Sequence, residues 1–356
     1  MKKTKVLIVD DSAYTRQMMK KIIEQDADLE VVGIAADGIE GMAKTLRMQP
    51  DIITLDFEMP EMDGFSFLRW LMTERPTPVI MVSSHADSKT VFKALELGAV
   101  DFIAKPTRRA SIELQSIEKD LLNKIKGIKT IRLDILSKNL ELLDDRRAIE
   151  PKDTRKTGAK IDVVAIGSST GGPAALQIIL TKLPQDFQAA VVISQHMPRG
   201  FTAPLAERLD RLSHVKIKEA EEGDLIEPQT VYICPGGRHL SFRKKGSKVY
   251  AVLREGRLAD RYTPSVDHMM SSVAEVYGHH ALGVILTGMG NDGREGMLEI
   301  KKKGGYTIAE SEASAVVFGM PAEAIKAGAV EKILSISDMP SEIVRIVHNP
   351  YARGKE

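Results

Sequence analysis

The chain reads as α/β throughout: an N-terminal sheet of five βα units, then a second doubly wound, mostly parallel α/β sheet with an inserted β-hairpin. Three observations predict this. Short apolar runs alternate with stretches of helical period, the pattern of parallel strands joined by crossover helices. The alternation stops between about Gly127 and Lys160, where charges crowd into Leu142-Leu-Asp-Asp-Arg-Arg147 and Lys152-Asp-Thr-Arg-Lys156, and resumes at Ile161. Carboxylates, hydroxyls and a histidine fall just past the apolar runs, at the carboxyl ends of strands, where open α/β sheets bind ligands. The predicted organisation is a first domain over 1–126, a linker over 127–160 and a second domain over 161–350.

In chain order, the first strands fall at Lys5–Asp10, Glu30–Ala35, Asp51–Asp56, Val79–Ser83 and Asp101–Ala104, with amphipathic helices such as Tyr14–Glu24, Phe65–Met72 and Lys89–Leu97 between them. The linker is helical over Leu133–Leu143 and looser after Pro151 and Gly158. Strands then recur at Val163–Gly167, Ala189–Ser194, Val231–Cys234, Leu282–Thr287, Tyr306–Ala309 and Lys332–Ile336. Helices Ala174–Leu183, Pro204–Leu212, Val266–Val276 and Gly293–Lys303 fit between these. His239–Leu253 alternates polar and apolar residues around Lys245-Gly246-Ser247, which predicts the antiparallel hairpin.

Composition narrows the class. At 356 residues with 43% hydrophobic and 28% charged residues, the chain has the apolar mass for two cores. With a net charge of +1, nothing in the composition argues for a nucleic-acid or membrane-surface partner, and no nucleic acid is expected. The single cysteine, Cys234, excludes a disulfide framework or zinc cluster and fits a reducing cytoplasm; at the end of an apolar strand it is inert core. Met1-Lys-Lys-Thr-Lys5 imitates a signal sequence, but the apolar run behind it stops at Asp10-Asp11, and no segment is long enough to insert in a bilayer.

Asp10 and Asp11 end the first strand, Asp56 the third, Ser83 the fourth, and Lys105-Pro106 follow the fifth. With strand order 2-1-3-4-5 the first and third strands are neighbours, so three carboxylates share one edge. Clustered carboxylates repel unless a cation sits among them, and magnesium takes such oxygen ligands while keeping waters. Asp11 and Asp56, with Asp10 partly through water, make a sensible site, and Lys105 can neutralise a phosphorylated carboxylate. A cis Lys105–Pro106 bond would aim the lysine inward. Ser83 can donate to a phosphoryl oxygen.

These residues, in this order and with Met59-Pro60 after Asp56, resemble the receiver domain of two-component response regulators, a flavodoxin-like (βα)5 fold. The resemblance covers the first third of the chain. It implies phosphorylation of Asp56 by a histidine kinase, Mg²⁺ at Asp11, Asp56 and the Glu58 backbone, and a switch through Ser83 and Phe102.

The second domain opens with Val163-Val-Ala-Ile-Gly-Ser168-Ser169-Thr170-Gly-Gly172-Pro173: strand, tight turn, helix start. Small flanking residues let a hydroxyl project from a sharp turn, as in a nucleophile elbow. Ile193-Ser-Gln-His196-Met-Pro198 and Leu286-Thr-Gly-Met289-Gly-Asn-Asp292-Gly293 also lie just past strands, so Ser, His and Asp can converge at one edge. A hydroxyl needs a base to become a nucleophile, and the base needs a carboxylate to hold its tautomer. Three look-alikes compete. Gly167 to Gly172 has phosphate-loop spacing, but Pro173-Ala174 stand where Lys and Ser/Thr belong. Gly288-Met-Gly290-Asn-Asp-Gly293 is a literal dinucleotide fingerprint with Glu310 ending the next strand, yet Asp292 would set an anion where a pyrophosphate lies. His279-His280 reads as surface histidines with no acidic partner nearby.

Gly-Ser-Ser169-Thr170-Gly-Gly, Gln195-His196-Met-Pro, Thr-Gly-Met289-Gly-Asn-Asp292-Gly and Phe318-Gly-Met-Pro321 together resemble the catalytic domain of the chemotaxis protein-glutamate methylesterases, the CheB family. With the receiver in front, the resemblance runs nearly end to end. It implies Ser169 as nucleophile, His196 as general base, Asp292 as its orienting carboxylate, the Met289 amide as oxyanion donor and Thr170 bordering the site. It also implies a phosphorylation-regulated cytoplasmic esterase and glutaminase that needs no cofactor for hydrolysis and acts on methyl-accepting chemoreceptors. A response regulator with a non-enzymatic binding domain, or a nicotinamide enzyme using Glu310, would be the alternatives.

Overall fold

The structure, a computed structural model, describes residues 3–83, 88–105, 112–127, 131–150, 160–257 and 259–348. They form two compact units, Met1–Leu140 and Glu141–Glu356.

In the first unit β1 (Thr4–Val9), β2 (Leu29–Ala35), β3 (Ile52–Leu55), β4 (Val79–Ser83) and β5 (Asp101–Ala104) form a parallel sheet of order β2-β1-β3-β4-β5. The helices are α1 (Ala13–Ile23), α2 (Gly38–Met48), α3 (Gly64–Glu74), α4 (Ser88–Glu96), α5 (Ile112–Lys126) and α6 (Leu133–Glu141). Val6, Ile8, Ile52, Ile80 and Ile103 bury against Met19, Ile22 and Ile23 of α1 and Leu121 and Ile125 of α5. Both faces of the sheet are covered, which is why these strands are near-continuous apolar runs rather than alternating ones. Polar side chains start the helices. Ser12, Asp37 and Asp63 accept the amides of Thr15, Glu40 and Ser66 at 3.3, 2.8 and 2.8 Å, caps worth about 1 kcal/mol each.

The second unit contains β6 (Val163–Ser168), α7 (Gly172–Leu180), β7 (Ala190–Gln195), α8 (Thr202–Leu212), β8 (Lys216–Glu219), β9 (Thr230–Ile233), β10 (Arg238–Lys245) and β11 (Lys248–Glu255). It continues through α9 (Val266–Tyr277), β12 (Ala281–Ile285), α10 (Arg294–Lys302), β13 (Tyr306–Glu310), α11 (Met320–Lys326), β14 (Lys332–Leu334) and α12 (Met339–His348). Seven parallel strands run in the order β14-β13-β12-β6-β7-β9-β8, so β6 lies at the centre. β10 and β11 make the separate antiparallel hairpin; Lys245 pairs with Lys248, and Gly246 opens the turn at φ +62°. Its Leu240, Phe242 and Ala251 pack on Met269 and Val273 of α9.

Three local features depart from the sequence reading. β8 is an edge strand whose Lys-Ile-Lys-Glu sequence buries only Ile217, so no apolar run announces it. Residues 142–149 behave as part of the second unit rather than as linker. Leu143 is buried, the Ile149 amide donates to the Lys182 carbonyl at 3.0 Å, and Lys182 Nζ lies 3.4 Å from Asp145. His280 does have an acidic partner: its Nδ1 is 3.4 Å from Asp162 and 2.6 Å from the Lys160 carbonyl. The two residues are far apart in sequence, and the short turn of 3₁₀ helix over Gly278–His280 brings them together.

Candidate active site

Sheet register brings the second unit's groups together. On one side of β6, Ser168 pairs with Gln195 of β7, and the His196 amide donates to the Ser168 carbonyl at 3.0 Å. On the other side Ile285 of β12 pairs with Gly167, and the Ser169 amide donates to the Thr287 carbonyl at 3.0 Å. Ser169 therefore emerges between the ends of β7 and β12. Gly171, at φ +79°, makes the turn into α7 that only glycine adopts cheaply.

The two serines are not equivalent. Ser168 is fully buried, and its hydroxyl donates to Gln195 Oε1 at 2.6 Å. Gln195 Nε2 in turn donates to the carbonyls of Ser169 and His196 at 2.9 and 3.0 Å. This amide clamp links the two strand ends, a role that Gln195 did not reveal in sequence. Ser169 is nearly buried but its hydroxyl has no hydrogen-bond partner among the described residues, so it is free to engage a ligand.

His196 Nε2 sits 2.7 Å from Asp292 Oδ2. Asp292 also accepts the Val266 amide at 2.7 Å, the Asp267 amide at 2.9 Å and the Ser265 hydroxyl at 3.1 Å. The first two amides open α9, so the carboxylate occupies that helix's electropositive end. Burial pushes its pKa up; the bonds from His196 and from the Asp267 and Val266 amides more than offset this and hold it below the usual range. In sequence Asp292 stands just before α10, but the helix terminus it caps is that of α9. Asp267 accepts the Gly293 and Gly296 amides at 2.9 and 2.8 Å, and burial, with the Asp292 charge beside it, raises its pKa to about 6.

The loop after β12 closes the site. A Cβ on Gly288 would come within 2.8 Å of Ser169 Cβ, so the backbone there approaches the serine as only glycine allows. The following Met289 amide has no partner among the described residues. Thr170 is buried, and its carbonyl accepts the Thr287 hydroxyl at 2.9 Å. Tyr262, which no sequence pattern pointed to, lies flat on His196 with ring centroids 4.9 Å apart. The dinucleotide reading fails on this geometry. Glu310 is fully buried, accepting the Thr287 amide at 2.7 Å, where it cannot reach a ribose. Cys234 is buried, and burial pushes its thiol pKa strongly up, away from reactivity.

In the first unit the carboxylate oxygens of Asp10, Asp11 and Asp56 lie within 4.8 Å of one another. Asp10 and Asp56 are buried, and Asp11 is exposed. Lys105 Nζ bonds Asp56 Oδ2 and lies 3.5 Å from Asp10 Oδ2. Burial, then the Asp56 charge, raises the Asp10 pKa to about 6; burial also raises that of Asp56. Burial pulls the Lys105 pKa down, but the carboxylates outweigh it and raise it. Asp10 Oδ2 is buried without a hydrogen-bond donor. A hard oxygen that no hydrogen bond reaches, in a cluster of three carboxylates, suits a divalent cation with oxygen preference. Phe102 is buried, with Lys124 Nζ donating to its carbonyl at 2.6 Å. Glu58 is exposed on the loop after β3. Ser83 ends β4, but its side chain, like Pro106, lies outside the described residues.

Comparison with known proteins gives the family. The family model for the CheB methylesterase matches residues 164–343, and that for the response regulator receiver domain matches residues 6–116. The chain is 47% identical to protein-glutamate methylesterase/protein-glutamine glutaminase 3 of Geobacter sulfurreducens, over 97% of this chain and 98% of the relative. It is 41% identical to a Pyrococcus abyssi protein of the same description, covering 97% and 94%. The crystal structure of the Thermotoga maritima CheB methylesterase catalytic domain covers 54% of this chain and 100% of its own, at 41% identity and a TM-score of 0.51. No helix among the described residues is long and apolar enough to cross a membrane. A receiver domain followed by this serine-bearing sheet places the chain in the CheB methylesterase family.

Proposed function

We propose that the chain is a phosphorylation-regulated serine esterase. It demethylates glutamyl methyl esters, and deamidates glutamines, on the cytoplasmic helices of chemoreceptors. The observation that supports this best is the His196–Asp292 couple, 2.7 Å apart, at the strand end adjoining that of Ser169, whose hydroxyl has no hydrogen-bond partner among the described residues.

With Nε2–H donated to Asp292, the neutral imidazole keeps Nδ1 bare, and that is the nitrogen available as base. Ser169 Oγ bonds to the ester carbonyl carbon as its proton passes to His196 Nδ1. Asp292, held ionised by the α9 amides, stabilises the imidazolium that results. The Met289 amide donates to the developing oxyanion, an interaction commonly worth about 3 kcal/mol. The C–O bond to the methoxy group breaks and methanol leaves with the proton from His196. Water, deprotonated by the same nitrogen, then releases glutamate and restores the Ser169 hydroxyl. A glutamine amide follows the same path, with ammonia leaving. Thr170 borders this cleft.

Asp56 is the proposed phosphorylation site, with a histidine kinase as donor. Asp10, Asp11, Asp56 and the Glu58 carbonyl would hold Mg²⁺, which when bound supplies positive charge to the oxygens of an incoming phosphoryl group. Lys105, already bonded to Asp56, pairs with the phosphoryl once it is attached. Ser83 and Phe102 report its presence to the rest of the receiver. These reactions belong in the cytoplasm.

The test is methanol release from methylated chemoreceptor membranes, with and without a small-molecule phosphodonor and Mg²⁺. Release that rises with the donor is expected. No release under either condition overturns the esterase reading in favour of a binding output domain.

A further inference from the structure

Glu310 is a buried acid that the hydrolytic mechanism does not use. It ends β13, is fully buried, and pairs with no cationic side chain among the described residues. Its Oε2 accepts the Thr287 amide at 2.7 Å and its Oε1 accepts the Ser314 hydroxyl at 3.0 Å. Ser314 is itself fixed by the Ile336 amide at 2.9 Å.

Thr287 is the junction of the site. Its carbonyl accepts the Ser169 amide at 3.0 Å, its hydroxyl donates to the Thr170 carbonyl at 2.9 Å and accepts the Val317 amide at 2.9 Å. Two residues on stands Met289, whose amide has no partner among the described residues. Thr287 thus ties the serine turn to the loop that carries Met289, and the next carbonyl, that of Gly288, accepts the Gly319 and Met320 amides at 3.1 and 2.8 Å.

We propose that Glu310 is a positioning residue for hydrolysis: its carboxylate, anchored under Thr287, fixes the Met289 amide at the spacing from Ser169 that an oxyanion requires. This rests on the esterase reading above. A charge-assisted bond is roughly twice as strong as a neutral one, so the ionised acid holds the loop as a neutral side chain would not. It does so against its own solvation. Burial raises its pKa to about 7, countered by the Thr287 amide and the Ser314 hydroxyl. An acid retained where burial disfavours its charge, one residue from the nucleophile's own hydrogen bond, points to function rather than to packing.

The experiment compares full-length, phosphodonor-treated wild type with Glu310→Gln. Gln keeps the shape and removes the charge. Expected is a kcat for methanol release lower by about 10-fold with KM within about twofold, and a Tm at pH 8 no lower than wild type. A kcat within about twofold of wild type overturns the proposal, as does a kcat that falls together with Tm. If Glu310→Gln does not fold, Ser314→Ala, which loosens the carboxylate and also lowers Tm by freeing the Ile336 amide, decides well below its own Tm: kcat lower by about threefold with KM within about twofold supports positioning, and unchanged kcat overturns it. The rate of Ser169 labelling by a fluorophosphonate is measured alongside. It also forms an oxyanion-like adduct, so slower labelling in the variant supports the proposal even if wild type released no methanol, an outcome that would sink only the substrate assignment.

Discussion

Tyr262 lies parallel to His196, the two ring planes 7° apart. Gly290, in the Met289 loop, has no side chain because a Cβ there would meet Tyr262 Oη at 2.4 Å. One aromatic ring thus abuts both the proposed base and the loop of the proposed oxyanion donor. In the proposed mechanism, a π face favours the imidazolium that would form as Ser169 attacks. Tyr262→Phe should retain most activity, while Tyr262→Ala should lower kcat by about 3- to 10-fold, the scale of a stacking contact. Methanol release by the two variants checks this; equal loss in both would point to the phenol hydroxyl instead.

Adjacent serines offer an internal control. Ser169→Ala should abolish turnover. Ser168→Ala should keep the nucleophile and lose the bond to Gln195, costing about 1–2 kcal/mol of stability. Rates and urea midpoints measured on both variants separate the roles, and loss of turnover in Ser168→Ala alone would reverse the assignment.

Asp292→Asn would turn an amide NH₂ toward donors that now converge on a carboxylate, and it would no longer hold His196 in the required tautomer. A fall in kcat of about 10⁴-fold is the precedent for that change in a serine triad. Activity within tenfold of wild type would mean that Asp292 is a helix cap only.

Added Mg²⁺ should raise the Tm of the first unit's transition, since a ligand that binds only the folded state stabilises it, by about 2.7 kcal/mol at 100 times Kd. Asp11→Ala, at the exposed member of the cluster, should abolish the shift while leaving the Mg²⁺-free Tm nearly unchanged. Asp56→Asn should remove phosphodonor activation of methanol release. Differential scanning calorimetry and the release assay read these out.

Glu310 also sets a pH dependence of stability. Its folded pKa, about 7, lies above the ordinary 4.5. The folded state therefore holds the proton more tightly. The resulting stabilisation is full below pH 4.5 and is lost as pH rises through about 7. The Tm of Glu310→Gln relative to wild type should accordingly climb between pH 5 and pH 8. A difference that stays flat over that range would mean that Glu310 titrates normally.

What the sequence discloses here is whatever sits at the end of a buried strand. Asp10, Asp56, Ser169 and His196 each follow an apolar run, and period-2 and period-3.6 patterns locate such runs well. Lys216–Glu219 escapes because an edge strand has little to bury. Tyr262 escapes because it comes from an irregular loop and meets His196 only through the tertiary fold. Glu310 was visible but invited the wrong chemistry. A glycine fingerprint with a downstream acid suits a ribose in one fold, and here the same spacing lets a loop backbone graze Ser169 while the acid turns inward.

β6 is the fourth of seven strands, with β7 and β12 as its immediate neighbours. Amides at the middle of a sheet exchange with solvent mainly when the whole unit opens, whereas edges and termini exchange through local fraying. The turn bearing Ser169 grows directly from that central strand, which should exchange slowest. Warming this enzyme should consequently leave catalysis intact while β8 and β14 fray, and extinguish it only in the cooperative transition that takes the centre of the sheet.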